Sequence, residues 1–126
     1  MIILVVDDSV TMRRMVKASL RGLKNIIYFD EASNGLEAIE KLAIAQVKHI
    51  RIDLIVLDLN MPDIHGLEVL KFVRSYEFYQ TIPVIILTTR SDDDSRQAAK
   101  AAGATCYMTK PFKPQELAWK AQILLN

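Results

Sequence analysis

Short unbroken apolar runs alternate along this chain with stretches whose apolar residues recur every three or four positions. Ile2 to Val6, Ile26 to Phe29, Leu54 to Leu57, Val84 to Leu87 and Cys106 to Met108 read as five strands. The first, third and fourth are apolar throughout and rich in β-branched residues, as expected where both faces of a strand are covered. Between the first two runs, Met12, Met15, Val16, Ser19, Leu20 and Leu23 fall on one helical stripe, with Arg13, Arg14, Lys17 and Arg21 off it. Ser9 stands where it can cap that helix. A second helix follows Asn34-Gly35, with Leu36, Ile39, Leu42 and Ala43 on one face, and a third follows Gly66, with Leu67, Leu70 and Val73. The fourth opens at Ser91 with Asp92, Asp93 and Asp94 in its first turn, where carboxylates suit the helix dipole, and Gly103 stops it. Its inward face offers only Ala98, Ala101 and Ala102, so it buries little and should shift easily. The fifth starts at Pro114 and turns Leu117, Ala121 and Leu124 inward. Five strand–helix units in series imply an α/β fold: a parallel sheet with right-handed crossovers and helices on both faces. Residues 43 to 53 read as a longer second helix followed by a connection, with no chemistry assigned to them.

Composition narrows the class without changing this picture. A chain of 126 residues is the size of one domain, so a single domain over 1–126 is expected. It buries about two thirds of its extended surface and needs no staples. Sixteen Lys and Arg against fifteen Asp and Glu leave a net charge of +1, with no field drawing it to nucleic acid or membrane. A single Cys excludes an internal disulfide framework and a Cys-based zinc site. No apolar run approaches the ~20 residues of a spanning helix, and the N-terminal run lacks the basic start of a signal peptide. A soluble protein of the reducing cytoplasm is the default expectation.

In a doubly wound sheet, ligands bind outside the carboxyl ends of the strands, near the point where strand order reverses. Asp7 and Asp8 follow the first strand, Asp58 the third, Thr88 and Thr89 the fourth, Thr109 and Lys110 the fifth. Carboxylates gathered this way repel one another unless a cation sits among them. Hard oxygen ligands select Mg²⁺, which takes one or two carboxylates, several waters and phosphate oxygens. Lys110 is a compact charge suited to a phosphate, and Thr88 supplies a hydroxyl donor. The set suits the handling of a phosphoryl group with Mg²⁺. No strand-end Ser, Cys or His competes as nucleophile, so a carboxylate must serve, and Asp58 on the middle strand is the candidate. Each piece alone has a plainer reading: an Asp pair as a helix cap, Lys110 as a solvated charge, Asn60-Met61-Pro62 as a turn. Their combination, each at a strand end, is what carries the argument.

The text "ILVVDDSVTMRRMV", "LDLNMPDIHGLEVL", "PVIILTT" and "GATCYMTKPF" resembles the receiver domains of two-component response regulators, most of all the single-domain chemotaxis type. The resemblance runs from Ile2 to about Leu125. It implies the (βα)5 flavodoxin-like fold, a doubly wound five-stranded parallel sheet in the order 2-1-3-4-5. It implies a signalling switch that catalyses its own phosphorylation from a sensor histidine kinase and its own dephosphorylation. Asp8 would coordinate Mg²⁺ directly and Asp7 mainly through water. Asp58 would be phosphoacceptor and metal ligand, and the main-chain carbonyl of Asn60 would complete the set. Thr88 would be the switch hydroxyl, Tyr107 the switch aromatic and Lys110 the phosphate-pairing lysine, with Pro111 after a cis peptide bond. An output protein would bind the face made by the fourth helix, fifth strand and fifth helix, with the chain a monomer or a weak phosphorylation-dependent dimer. No direct nucleic-acid contact and no membrane insertion are implied.

Three positions depart from the family pattern. His65 stands where an acidic residue is common, Arg90 where the chemotaxis type has an acid, and the segment between Gly35 and Asp58 is long. Arg13, Arg14, Lys17 and Arg21 read as a solvated face, Cys106 as a small buried strand residue, and His49 and His65 as exposed. Trp119 lies about 200° round its helix from Leu117, off the inward stripe, where a partner contact or packing on a loop would each suit it. The chain could also be the receiver piece of a longer response regulator or hybrid kinase. An aspartate-nucleophile phosphatase needs an acid two residues beyond the nucleophile, where Asn60 stands. A flavodoxin-like binding module needs a Ser/Thr/Gly-rich phosphate loop after the first strand, which the sequence lacks.

Overall fold

The computed structural model describes residues 1–25 and 28–125. Five strands, β1 (Ile2–Val6), β2 (Tyr28–Ala32), β3 (Leu54–Leu57), β4 (Val84–Thr88) and β5 (Cys106–Thr109), alternate with five helices. These are α1 (Val10–Leu20), α2 (Gly35–Val47), α3 (Gly66–Ser75), α4 (Asp93–Ala101) and α5 (Pro114–Leu125), and a 3-10 turn at Glu77–Tyr79 precedes β4. All strand pairs are parallel, in the order β2-β1-β3-β4-β5. The order reverses between β1 and β3, and the ends of those two strands therefore open the crevice.

Alternation along the central strands divides the core. Ile3, Val5, Leu54 and Val56 pack with Val16 and Leu20 of α1 and Leu117 and Ala121 of α5. Leu4, Val6, Ile55 and Leu57 pack on the other side with Ala38 and Leu42 of α2 and Val69, Leu70 and Val73 of α3. Fully apolar strands are what this two-sided burial requires.

The elements differ from the sequence expectation in informative places. Among the described residues the second strand spans Tyr28–Ala32 and so takes in Asp30 and Glu31 beyond the expected Phe29; Ile26 and Ile27 lie outside the described residues. β2 is an edge strand, so polar side chains are tolerated there. Lys41 holds Asp30 at 2.7 Å, while Arg13 and Lys17 hold Glu31 at 3.0 and 2.9 Å. Arg13 and Lys17 are thus clamps between α1 and β2, and only Arg14 and Arg21 stand exposed as a solvated pair. On α2 the buried face is Gly35, Ala38, Leu42 and Ala45, and Leu36 is exposed. α2 extends to Val47, with the connection after it, as the sequence suggests. The cap of α4 is Asp92, whose carboxylate accepts from the Ser95 amide at 3.0 Å, and its one buried residue is Ala99. The inward face of α4 is therefore as small as expected: Ala102 packs on the core beside Ala99, whereas Ala98 and Ala101 are exposed.

Arg74, near the end of α3, was given no role by its sequence. Its guanidinium donates to the carbonyls of Tyr79 (3.0 Å), Ile82 (2.7 Å) and Gly103 (3.0 Å). Gly103 has φ +104°, and a Cβ there would meet Arg74 Cγ at 2.8 Å. The far end of α4 is thereby pinned to α3. Arg74→Ala should lower stability by about 1.5–3 kcal/mol, the range for hydrogen bonds to a charged group. Urea unfolding checks this, and an unchanged midpoint would show that the clamp carries no stability.

Candidate functional site

β1 delivers Asp7 and Asp8 to the crevice. The Asp7 amide donates to the Ala32 carbonyl at 3.1 Å, prolonging the sheet by one residue. Its Oδ1 accepts the Ser9 amide at 2.9 Å, and Ser9 in turn caps α1 by accepting from Met12 at 3.2 Å. Arg13 donates to the Asp7 carbonyl at 2.6 Å. These bonds leave Asp7 Oδ2 facing the centre. β3 delivers Asp58, whose amide donates to the Val6 carbonyl at 3.0 Å and whose Oδ1 accepts the Asn60 amide at 3.2 Å.

The chain after β5 supplies the cation. The Lys110 amide donates to the Thr88 carbonyl at 2.8 Å, and the bond to Pro111 is cis. The Lys110 ammonium donates to Asp7 Oδ2 at 2.7 Å and to Asp58 Oδ2 at 3.2 Å. All three side chains are at least nine-tenths buried, with 10%, 5% and 6% of their surface exposed. Asp8 stands exposed beside them. One carboxylate oxygen from each of Asp7, Asp8 and Asp58 lies within 4.8 Å of the others, the metal-capable group found among the described residues.

Three carboxylates against one ammonium leave the site two charges negative. Burial, the largest influence, pushes the Asp58 carboxyl above its ordinary value. Lys110 and the Asn60 amide oppose that rise, and the charge of Asp7 adds to it. A hard divalent cation fits such a donor set, because it would complete the neutralisation that Lys110 begins.

The loops around the acidic group interlock. The Asn60 side-chain amide donates to Thr89 Oγ1 at 3.2 Å, tying the loop after β3 to the end of β4. Gly66 admits no side chain: a Cβ would strike the Asp58 carbonyl and approach Leu59 Cα at 2.6 Å. Thr88 is fully buried, and its Oγ1 accepts the Arg90 amide at a long 3.4 Å. Tyr107 is half-buried; its hydroxyl donates to the Arg90 carbonyl at 2.7 Å, and Arg96 lies 4.8 Å above its ring. Burial raises the Tyr107 phenol above its ordinary value, more than Arg96 lowers it. Asp7, Asp8, Asp58 and Lys110 thus form one cluster. Thr88 adjoins it through the Lys110 backbone, and Tyr107 stands one peptide further out, at Arg90.

Several residues with a part in this architecture gave no sequence signal of it. His65 is half-buried and caps α3, its Nδ1 accepting the Leu67 amide at 3.1 Å, instead of standing exposed. His49 is exposed as expected, Cys106 is half-buried, and Trp119 is 62% exposed. Asp63 accepts from two amides of α2, a long-range contact that no local pattern encodes.

The family described as response regulator receiver domain matches residues 3–122. Chemotaxis protein CheY1 of Helicobacter pylori is 41% identical over 127 residues, covering 98% of this chain and 96% of that protein. A chemotaxis protein CheY homolog of Campylobacter jejuni is 38% identical over 124 residues, covering 98% and 92%. The solved structure of chemotaxis protein CheY4 of Vibrio cholerae superposes with a TM-score of 0.84 at 37% identity, covering 98% of each chain. Among the described residues no helix is long and apolar enough to cross a membrane.

Proposed function

This chain belongs to the response regulator receiver domain family, the CheY-like proteins of two-component signalling, and on that footing we propose that it is a phosphorylatable switch. Asp58 accepts the phosphoryl group, a histidine kinase supplies it, and the surface of α4, β5 and α5 carries the output. The observation that supports this most is the Lys110 ammonium, shared between Asp7 and Asp58 in a buried pocket.

Phosphoryl transfer asks for positioning and charge neutralisation more than for covalent chemistry from the protein. Asp58 is held at both oxygens, by the Asn60 amide and by Lys110, so the carboxylate cannot rotate freely. Its burial strips the nucleophile of water. As the new Asp58 O–P bond forms and the donor's P–N bond breaks, Lys110 can follow the negative charge onto the phosphoryl oxygens. Asp8 and Asp58, the Asn60 carbonyl and, through water, Asp7 would hold Mg²⁺. When bound, the ion supplies the positive charge that offsets the repulsion between acceptor and incoming phosphoryl group.

The acyl phosphate carries about −2 where the carboxylate carried −1, so the site gains roughly one negative charge and three acceptor oxygens. Thr88 and Tyr107 read that change through the backbone of one residue, Arg90. The Thr88 hydroxyl gives up its long bond from the Arg90 amide to donate to a phosphoryl oxygen, a charge-assisted contact of about 1.5–3 kcal/mol. The Arg90 carbonyl, which holds the Tyr107 hydroxyl, belongs to the segment so released. The ring can then turn inward, and α4, with only Ala99 buried, yields at its first turn. A bias of about 3 kcal/mol changes a population ratio roughly 150-fold, enough to switch two nearly balanced states.

Incubation with acetyl phosphate and Mg²⁺, read by intact mass, tests the proposal. One phosphoryl group should be gained, only with the cation present, and should map to Asp58 after borohydride trapping. No gain, or a group on any other residue, would overturn it.

A further inference from the structure

The loop that carries Asp58 is fastened to α2 by a side chain outside the acidic cluster. At one end of this loop the Asn60 amide donates to Asp58 Oδ1. At the other, Gly66 donates to the Leu59 carbonyl at 2.9 Å and Leu67 to His65 Nδ1. Its middle is held by Asp63, whose Oδ1 accepts the Gly35 amide and whose Oδ2 accepts the Leu36 amide, each at 3.2 Å. Gly35 and Leu36 are the first two residues of α2, whose amides have no partner within the helix. The approach is close enough to exclude a side chain, since a Cβ on Gly35 would stand 2.6 Å from the Ile64 carbonyl oxygen.

α2 does not need Asp63 in order to begin. Asn34 already caps it, accepting the Glu37 amide at 2.8 Å. The two bonds to Asp63 therefore serve mainly the loop, which they hold against the positive end of the α2 dipole. The amide of Ile64 first, with those of Leu36 and Gly35, keeps the Asp63 carboxyl below its ordinary value, so it stays an acceptor at neutral pH.

We propose that Asp63 is a positioning residue for phosphoryl acceptance, a latch that ties the acceptor loop to the first turn of α2 and so sets where the Asn60 carbonyl stands relative to Asp58. This rests on the reading of Asp58 and Asn60 given above. Coupling runs both ways: whatever orders the loop at Asp58 also tightens the amides of Gly35 and Leu36.

The test uses the full chain as wild type, Asp63→Ala and Asp63→Asn. Two quantities are read: the Mg²⁺ concentration for half-maximal labelling by acetyl phosphate, and the NMR shifts of the Gly35 and Leu36 amides as Mg²⁺ alone is added. Asp63→Ala should raise the half-maximal concentration about five-fold, the factor that goes with the loss of one helix-cap interaction. Asp63→Asn, which keeps an acceptor oxygen and loses the charge, should fall between. In the wild type the two amides should move with Mg²⁺, although both lie outside the metal ligands, and in Asp63→Ala they should not. A role in stability alone would shift the melting temperature and leave the half-maximal concentration where it was; that result overturns the latch. A wild type that takes no phosphoryl group counts against the acceptor reading instead. The amide titration then decides the latch by itself, and still amides in the wild type reject it.

Discussion

Lys110→Met should unfold about 3–5 kcal/mol more easily than the wild type near pH 7 in divalent-free buffer, the scale for removing one partner of a buried ion pair. Methionine keeps most of the volume of the lysine stem and removes only the charge, so the loss reports electrostatics rather than a cavity. Asp7 and Asp58 are each about nineteen-twentieths buried and share the one ammonium. Without it, two carboxylates face each other with Asp8 alongside. The variant's deficit should shrink as pH falls, because protonating one of the two carboxyls ends the repulsion. Added Mg²⁺ should restore more stability to the variant than to the wild type, since the cation then has no resident competitor. Labelling by acetyl phosphate should slow about 100-fold, the usual effect of removing one charge-stabilising donor from a site. Urea unfolding at several pH values and the labelling rate check these outcomes. A variant as stable as the wild type would mean that the ammonium is not what holds the two carboxylates together.

The fold could be read from the chain where burial alone decides the residues. IILVV, LIVL and VIIL are covered on both faces, and no surface demand interrupts their pattern. β2 continues past the expected Phe29 because it lies at an edge, where Asp30 and Glu31 are acceptable once Lys41, Arg13 and Lys17 bind them. On α2 the large residue Leu36 faces solvent, whereas Ala38 and Ala45 join Leu42 in the core. Hydrophobicity ranks the same positions the other way. For α4 the inward residue is Ala99, and among so many alanines the sequence has little with which to choose a face.

The candidate site was legible for a topological reason. Parallel strands joined by right-handed crossovers put all their carboxyl ends on one edge, so residues at those ends meet whatever their separation in the chain. Asp7, Asp58 and Lys110 meet there. Bonds between a loop and an unrelated helix follow no such rule. The bonds that Asp63 accepts from α2 and that Arg74 donates to Gly103 are of this kind, since neither a period nor a spacing distinguishes the two residues from other charges. His65 hid its role differently, because a histidine cap replaces the usual oxygen acceptor with a ring nitrogen.

Asp58→Asn should take no phosphoryl group at all and yet be the more stable protein at neutral pH. Burial holds the Asp58 carboxyl above its ordinary value, so folding disfavours its ionised form. A carboxyl raised in this way gives its full stability below the unfolded value, near 3.9, and loses it as pH rises through the higher folded value. At pH 7 the wild type therefore bears the whole penalty, whereas the uncharged amide bears none of it. The substituted side chain would keep one oxygen to accept the Asn60 amide, and Asp7 would keep the ammonium, so the substitution strands no partner. The melting temperature should rise by a few degrees at pH 7, and the gap between the two proteins should close towards pH 4. Mg²⁺ should close it from the other side, by stabilising the wild type more than the variant. Trading stability for an ionised, poorly solvated nucleophile is a recurrent feature of functional sites. Thermal melts of both proteins across pH 4–8, with and without Mg²⁺, decide the sign. A less stable variant at pH 7 would show that the attraction of Lys110 for Asp58 outweighs the burial of the carboxylate.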